Sequence, residues 1–366
     1  MQRRKPDSVV EMVDQGRKRR RKKNSKVDLE NIPEEIISSI LVNIPAHKLY
    51  ELRSVCKQWF KLISEPNFID QHLSRSEPGL LVQYHHWRYM TVFLEMKGER
   101  FRVRDLNLKL RFGSRIHASC NGLILLEGVN QAGGLFVANP VTKQCMKLPP
   151  RSGSYSLFYG FAHHPGTRVY KVLTLNRQGD SCICDILTLG SDSWRHVLVP
   201  QEFRRSNSLY LATKGFLHNI TDSYNGEDKE YMHSMDMVHE TFHRTRLPVS
   251  ACGKQDRLFE LGGFLAFTTR IETTSRFDIW VLKDFHKGNW VKQHSVVLEG
   301  VRFANKRSLS MVKPVGSLKN GKVIIFTDYV SFYATDVELK WVRRIWKLRA
   351  DDVLPHVNSL ISCNAF

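Results

Sequence analysis

Asp278-Ile279-Trp280-Val281-Leu282 is a short apolar run that is followed, after a polar turn, by Trp290. The same phrase occurs twice upstream, where Ile186-Leu187 precedes Trp194 and Met235-Asp236-Met237 precedes Phe242. The three large apolar residues stand 48 positions apart, twice. A proline closes the second strand of the phrase at Pro149, Pro200 and Pro248, with spacings of 51 and 48. Turn signals punctuate the region at Asn121-Gly122, Asn139-Pro140, Asn225-Gly226 and Asn320-Gly321, the last leading into Lys322-Val323-Ile324-Ile325-Phe326 as a hairpin arm. A period of about 50 residues is that of a kelch-type propeller blade, a four-stranded sheet that cannot bury its faces alone. A β-sandwich has closer turns and no long period. The spacing predicts an all-β repeat domain over residues 80–366, a kelch-like β-propeller of about six units entered at Pro78-Gly79.

Upstream of that entry the periodicity becomes helical. Pro33 suits a first helical turn, and Glu34 and Glu35 favour the positive end of a helix dipole. Ile36, Ile37, Ile40 and Leu41 recur at helical spacing until Ile44-Pro45 stops the run. Leu49, Leu52, Val55, Cys56, Trp59, Phe60 and Ile63 follow three and four apart, as one face of a helix or of two helices bent at a kink. Pro66 ends that run and opens a last short turn with Phe68, Ile69 and Leu73. Residues 28–74 are thus two or three short helices, and the whole chain is an α+β multidomain protein. So small a unit leaves apolar surface over, either for a partner or for the next domain of the same chain.

The composition sets the outer limits. The chain has 366 residues, 42% hydrophobic and 25% charged, which suits a globular protein of about two domains. No stretch approaches the roughly 18 apolar residues of a membrane span, and Met1-Gln2-Arg3-Arg4-Lys5 has no apolar core for a secretory signal. Seven scattered cysteines fit a reduced intracellular compartment better than a disulfide framework. The net charge of +19 is dense only in residues 1–27, read as a disordered basic tail. There Arg17-Lys18-Arg19-Arg20-Arg21-Lys22-Lys23 reads as a nuclear import signal or a nucleic-acid contact, placing the chain in the nucleus with the cytoplasm as second address.

The helical module carries a resemblance. Ile32-Pro33-x-x-Ile36-x-x-x-Ile40-Leu41-x-x-Ile44-Pro45, then Leu49-x-x-Leu52-Arg53-x-Val55-Cys56-Lys57-x-Trp59, Leu62-Ile63, Pro66 and Phe68 resemble an F-box. The resemblance implies a three-helix module that docks on a Skp-type adaptor and, through it, on a cullin. Carried over by position, Ile32, Pro33, Ile36, Ile40, Leu41, Ile44, Pro45 and Leu49 would contribute to the adaptor face. Cys56 and Trp59 match the packed end of the motif. Ile32 replaces the usual Leu, and Tyr50-Glu51 stands where an apolar or basic pair is commoner.

The β region is similar to the F-box-associated domain of plant F-box proteins. The residues that carry this are Ser119-Cys120-Asn121-Gly122-Leu123, Ala138-Asn139-Pro140-Val141-Thr142-Lys143, Leu148-Pro149-Pro150, Tyr159-Gly160-Phe161 and Tyr170-Lys171-Val172. Ser193-Trp194-Arg195, Lys214-Gly215-Phe216-Leu217-His218 and the Asp278–Leu282 run match further along. Asn219-Ile220 departs from the family, which usually shows a Trp and an apolar residue there, so that blade is expected to pack differently. In the family this domain recruits the protein to be ubiquitinated.

Apparent chemical motifs weigh less. His239-Glu240-Thr241-Phe242-His243 satisfies the H-E-x-x-H pattern of zinc peptidases, which needs a helix so that both histidines share a face. Here it follows an alternating strand, and a strand would hold the histidines about 13 Å apart. Cys182-Ile183-Cys184 has no second cysteine pair to complete a metal site and reads as packed core. His85-His86 and His163-His164 are adjacent pairs that point to opposite faces of a strand. Arg204-Arg205 and Arg343-Arg344 are candidates for a basic loop face favouring an acidic or phosphorylated client.

No catalytic residue, cofactor or metal site is assigned. The expected function is a non-catalytic substrate receptor of a Skp–cullin–F-box ubiquitin ligase, with an unknown client bound by unassigned residues and no membrane contact. The rivals are a basic nuclear nucleic-acid-binding propeller without a ubiquitin role, and a zinc hydrolase resting on His239 and His243.

Overall fold

The computed structural model describes residues 32–86, 88–106, 114–128, 134–151, 158–164, 166–178, 181–200, 211–213, 215–220, 231–249, 257–271, 276–298, 311–328, 330–338, 341–350 and 352–366. Four helices come first: α1 (Glu34–Leu41), α2 (Ala46–Leu52), α3 (Lys57–Ser64) and α4 (Pro66–Arg75). The expected two or three become four for local reasons. The chain breaks after Leu52, and Cys56 begins α3 as its N-cap, its Sγ accepting from the Trp59 N–H at 3.4 Å. Pro66 occupies the first turn of α4 and so starts a helix of 10 residues instead of a short turn.

Strands follow in chain order: β1 (Gly79–His86), β2 (Arg88–Lys97), β3 (Arg100–Asp105), β4 (Ser114–Cys120), β5 (Leu123–Gly128), β6 (Leu135–Ala138), β7 (Cys145–Lys147) and β8 (Phe158–His164). Then come β9 (Val169–Gln178), β10 (Ser181–Thr188), β11 (Arg195–Val197), β12 (Leu211–Thr213), β13 (Phe216–Ile220), β14 (Tyr231–Asp236), β15 (Phe242–Arg246) and β16 (Arg257–Leu261). The last are β17 (Phe264–Ile271), β18 (Arg276–Asp284), β19 (Asn289–Val297), β20 (Lys313–Leu318), β21 (Val323–Thr327), β22 (Ser331–Asp336), β23 (Trp341–Lys347) and β24 (Asp352–His356).

They form six four-stranded antiparallel sheets. Five are consecutive meanders, β4–β7, β8–β11, β12–β15, β16–β19 and β20–β23. The sixth takes β24 beside β1, β2 and β3, with Gly79 opposite His356. The innermost strands β24, β4, β8, β12, β16 and β20 adjoin one another in a closed ring. The fold is therefore a six-bladed propeller whose first blade is completed by the last strand.

The apolar pattern explains this architecture. Each of six buried clusters joins two neighbouring blades, as Leu125 and Val137 do with Phe161 and Val172, or Phe277 and Ile279 with Phe326 and Tyr333. A middle strand buried on both faces reads as a continuous apolar run, and all five residues of β21 are buried. The repeated phrase proves to be the third and fourth strands of a blade. Pro149, Pro200 and Pro248 follow the fourth, outermost strand, just after the buried Leu148, Val199 and Leu247. No helix among the described residues is long and apolar enough to cross a membrane.

Candidate functional site

The helical module divides the eight residues singled out from its sequence. Leu41 and Leu49 are 1% and 0% exposed, packed with Ile37, Val42, Leu62, Ile63 and Phe68 in the module's own core. Ile32 and Ile44 are partly buried against that core. Pro33 and Pro45 are exposed and stand as the N-caps of α1 and α2. Ile36 and Ile40, one helical turn apart on α1, are 51% and 58% exposed and present an outward apolar stripe.

Three further apolar residues are exposed near the module's second half: Tyr50, Val55 and Phe60. The sequence spacing placed Val55 and Phe60 on one helical face with Leu49 and Ile63, but the break between α2 and α3 separates them: Leu49 and Ile63 are buried, while Val55 and Phe60 stand outward. The Arg53 guanidinium lies 4.8 Å from the Phe60 ring and 5.6 Å from the Tyr50 ring, and donates to Ser64 Oγ at 2.9 Å. It fixes both aromatics by cation–π contact.

The opposite side of the module is sealed to the propeller. Val141, from the turn after β6, and Leu360, beyond β24, complete the same apolar cluster as Leu41 and Leu49. Asp70 of α4 pairs with Arg168 at 2.5 Å, and Arg104 of β3 reaches His47 Nδ1 at 2.9 Å. Burial and the neighbouring Arg104 charge lower the His47 pKa, which favours a neutral ring able to accept that bond. Inside the module, buried His72 donates from Nε2 to the Ile44 carbonyl at 2.9 Å, tying α4 to the connection between α1 and α2.

Residues 357–366 fasten this junction. Asn139 Nδ2 donates to the carbonyls of Ser359 and Ile361, and the Cys363 N–H donates to Gln144 Oε1 at 3.1 Å. Asn121 and Gly122 turn with φ of 49° and 84° between β4 and β5, and a Cβ on Gly122 would meet Ser359 Oγ at 2.2 Å. The paired Asn-Gly and Asn-Pro signals, read from sequence only as turns, thus seat the tail and present Val141 to the helices.

Beneath α4 the inner ring opens into a cavity of about 510 Å³. Asp70, Leu73 and Ser74 border it from the helix, and Cys120, His163 and His356 from the ring. Burial pushes the Cys120 thiol up to about 12 and His356 down to about 3, so neither a thiolate nor an imidazolium is available there at neutral pH.

Family comparisons agree with the geometry. Residues 83–346 match the model described as F-box associated beta propeller domain, and residues 29–76 match the F-box-like model. Among curated relatives, the Arabidopsis thaliana F-box protein At3g07870 is 28% identical over 339 residues, covering 81% of this chain and 80% of its own. F-box protein At5g49610 of Arabidopsis thaliana is 25% identical over 298 residues, covering 74% and 80%. The chain is a plant F-box protein. It belongs to the family with a C-terminal F-box-associated domain.

The other motifs of this F-box protein resolve as architecture. His239, Glu240 and Thr241 lie in the turn between β14 and β15, with Glu240 at φ 58°, so the helix that zinc chemistry requires is absent. His239 Nδ1 binds Asp236 Oδ2 at 2.7 Å, while His243 Nε2 meets Thr241 Oγ1 at 3.1 Å. Glu240 instead ties blades together, pairing with Arg195 and with Lys171 at 2.6 Å, and both cations hold its carboxyl below the usual range. Among the described residues no group of three His, Cys, Asp or Glu is placed to hold a metal ion.

Cys184 is buried in β10. His163 packs on Tyr170 with ring centroids 4.4 Å apart. Arg343 and Arg344 lie on the outer strand β23 and not in a loop, which corrects the sequence reading. Arg204-Arg205, the Arg17–Lys23 run and the side chains of Cys182, His85 and His86 lie outside the described residues.

Proposed function

We propose that this F-box protein is the substrate-receptor subunit of a Skp–cullin–F-box ubiquitin ligase. One observation carries the reading: the module's inner face is closed against the propeller, while Ile36 and Ile40 stand outward with no partner in the chain's own core. Exposed apolar side chains on an otherwise satisfied small module mark a protein contact. Pro33, Ile36, Ile40 and Pro45 form its adaptor side, with Tyr50, Val55 and Phe60 as further contact candidates. The adaptor brings the cullin, and the propeller holds a client protein. Ubiquitin transfer is then a matter of effective concentration supplied by the assembly, and the chain itself performs no catalysis. The basic run Arg17–Lys23 supports a nuclear address, with the cytoplasm as second site.

The test is co-purification with a Skp-type adaptor and cullin, comparing the wild type with an Ile36→Asp, Ile40→Asp double variant. Both positions are exposed, so the variant keeps its thermal unfolding profile while a buried charge at the contact abolishes capture. Ile44 is a poorer choice, because it also packs against the module core. A folded wild type that captures no adaptor refutes the proposal.

A further inference from the structure

The outer strands of blades one and six carry a charge pattern that the receptor reading leaves unused. Residues 100–105 and 341–349 together hold seven Arg or Lys against one acid, Asp105. The other outer strands carry fewer: β7 has one Lys, β11 one Arg, β19 one Lys and β15 two Arg. Blades one and six are neighbours in the ring, because β24 of the first adjoins β20 of the last. Arg343 joins their edges. Its guanidinium lies 4.5 Å from the Trp341 ring and 5.1 Å from the Phe101 ring, and donates to the Glu99 carbonyl at 2.8 Å.

Around this clamp Arg100, Arg102, Arg344, Lys347 and Arg349 are exposed, and among the described residues none of them pairs with a carboxylate. Charges on an edge strand also deter sheet-to-sheet aggregation, but either sign serves that purpose, and here one sign is concentrated on two adjoining edges. We infer that this edge binds an acidic, extended polypeptide segment, the carboxylates pairing with the free guanidinium groups. In the receptor reading, on which the word client rests, that segment belongs to the client.

Two features select a peptide over nucleic acid. Stacking platforms for bases need open ring faces. Phe101 and Trp341 are already engaged by Arg343, and Trp346 stacks on Phe332 at 5.8 Å. Two features define how the peptide is read. The ladder of β23 is interrupted at Ile345, where the register against Phe332 and Tyr333 shifts, so recognition rests on side chains more than on strand addition. Arg104, in contrast, is committed to Glu95 at 2.5 Å and to His47, which places the edge directly beside the helical module.

The experiment uses the full-length protein and a fluorescent peptide of about ten residues alternating Glu with Val, followed by anisotropy at rising salt. The expected result is saturable binding that weakens with salt and falls about tenfold or more in an Arg344→Glu, Lys347→Glu variant. A Lys283→Glu, Lys287→Glu control, equal in charge but on blade five, leaves binding within about twofold. If the first variant misfolds, Arg100→Glu with Arg102→Glu asks the same question from the other strand. Equal losses in variant and control, tighter binding of a labelled oligouridylate than of the peptide, or no peptide binding by wild type each overturn the inference. Adaptor capture is measured on the same variants. It persists if the edge and the module act independently, so failure of the edge is distinct from failure of the receptor reading.

Discussion

Asn139 Nδ2 lies 2.8 Å from the carbonyl oxygen of Ile361 and donates to it across 222 positions of sequence. The same amide donates to Ser359, and its Oδ1 accepts from the backbone N–H groups of Val141 and Thr142 at 2.8 and 3.3 Å. One buried side chain therefore shapes the turn that presents Val141 and pins the segment that presents Leu360, the two propeller contributions to the helical core. Replacing it by Ala orphans buried carbonyls and N–H groups together. The expected cost is about 2–4 kcal/mol in urea unfolding, with residues 357–366 becoming the first protease-sensitive site. An Asn139→Ala protein with unchanged stability and an uncut tail would show that the tail is held elsewhere.

How far the sequence spoke can be judged at particular residues. The blades were legible because a middle strand buried on both faces, such as Val323–Thr327, leaves an uninterrupted apolar run between turn residues. The helical module was legible as a unit but not in its orientation. Ile36, Ile37, Ile40 and Leu41 are all apolar and cover two helix faces, so periodicity alone does not say which pair points out. The tail showed nothing, since residues 357–366 have no regular period; Leu360 is buried only because the helical core and Val141 receive it, and Cys363 only because it joins the cluster between blades two and three. The cavity was invisible for a related reason: its wall collects one to three residues from each of several strands far apart in the chain. His239–His243 shows the other limit: the H-E-x-x-H pattern is present, but the strand before it already argued against the helix that zinc needs, and the first three of its residues form the β14–β15 turn.

Trp194 and Trp290, 96 residues apart, make the same bond. Trp194 Nε1 donates to the Pro149 carbonyl at 3.0 Å, and Trp290 Nε1 donates to the Arg246 carbonyl at 3.0 Å. Each thus ties the start of an outer strand to the end of the outer strand one blade earlier. Phe242 fills the corresponding place in blade four with a ring that has no N–H to donate. Trp194→Phe and Trp290→Phe keep most of the apolar contact and remove the bond, so each costs about 1–2 kcal/mol. The two sites lie in non-adjacent blades, and the double variant is expected to lose the sum of the single losses. A double loss well below that sum argues that the outer strands unfold as one coupled belt.

Asn219 yields a prediction of opposite sign. It is 0% exposed in β13, and neither atom of its amide has a hydrogen-bond partner among the described residues. Its neighbour His218 is packed by Phe285 from the next blade, which lies 4.7 Å from Phe216 and 5.9 Å from His218. An unpartnered buried amide is a standing cost that an apolar residue of similar size removes. Asn219→Leu should therefore raise stability by about 1–2 kcal/mol, read as a higher urea midpoint with an unchanged slope. A lower midpoint would mean that the amide is engaged in the folded protein.

Acid should weaken the propeller through its buried histidines. His218 and His356 are 2% and 3% exposed, and burial pushes each pKa down to about 3. Above the unfolded value of about 6.5 both are neutral in either state and contribute no pH dependence. Between about 6.5 and 3 the unfolded chain takes up protons that the folded chain refuses, so stability falls as pH falls, by up to about 1.4 kcal/mol per unit for each group. His72 and His163, also lowered by burial, act in the same direction. Glu127, held low by its His117 hydrogen bond, and Glu240, held low by Arg195, add losses only near and below the ordinary carboxylate range. Urea unfolding between about pH 7.5 and pH 5 isolates the histidine window. There, His218→Gln removes one titrating group while keeping polar contact with Ser234 and Thr213. The variant is expected to start less stable at neutral pH and to decline less steeply than wild type; parallel slopes would show that His218 gains its proton equally in both states.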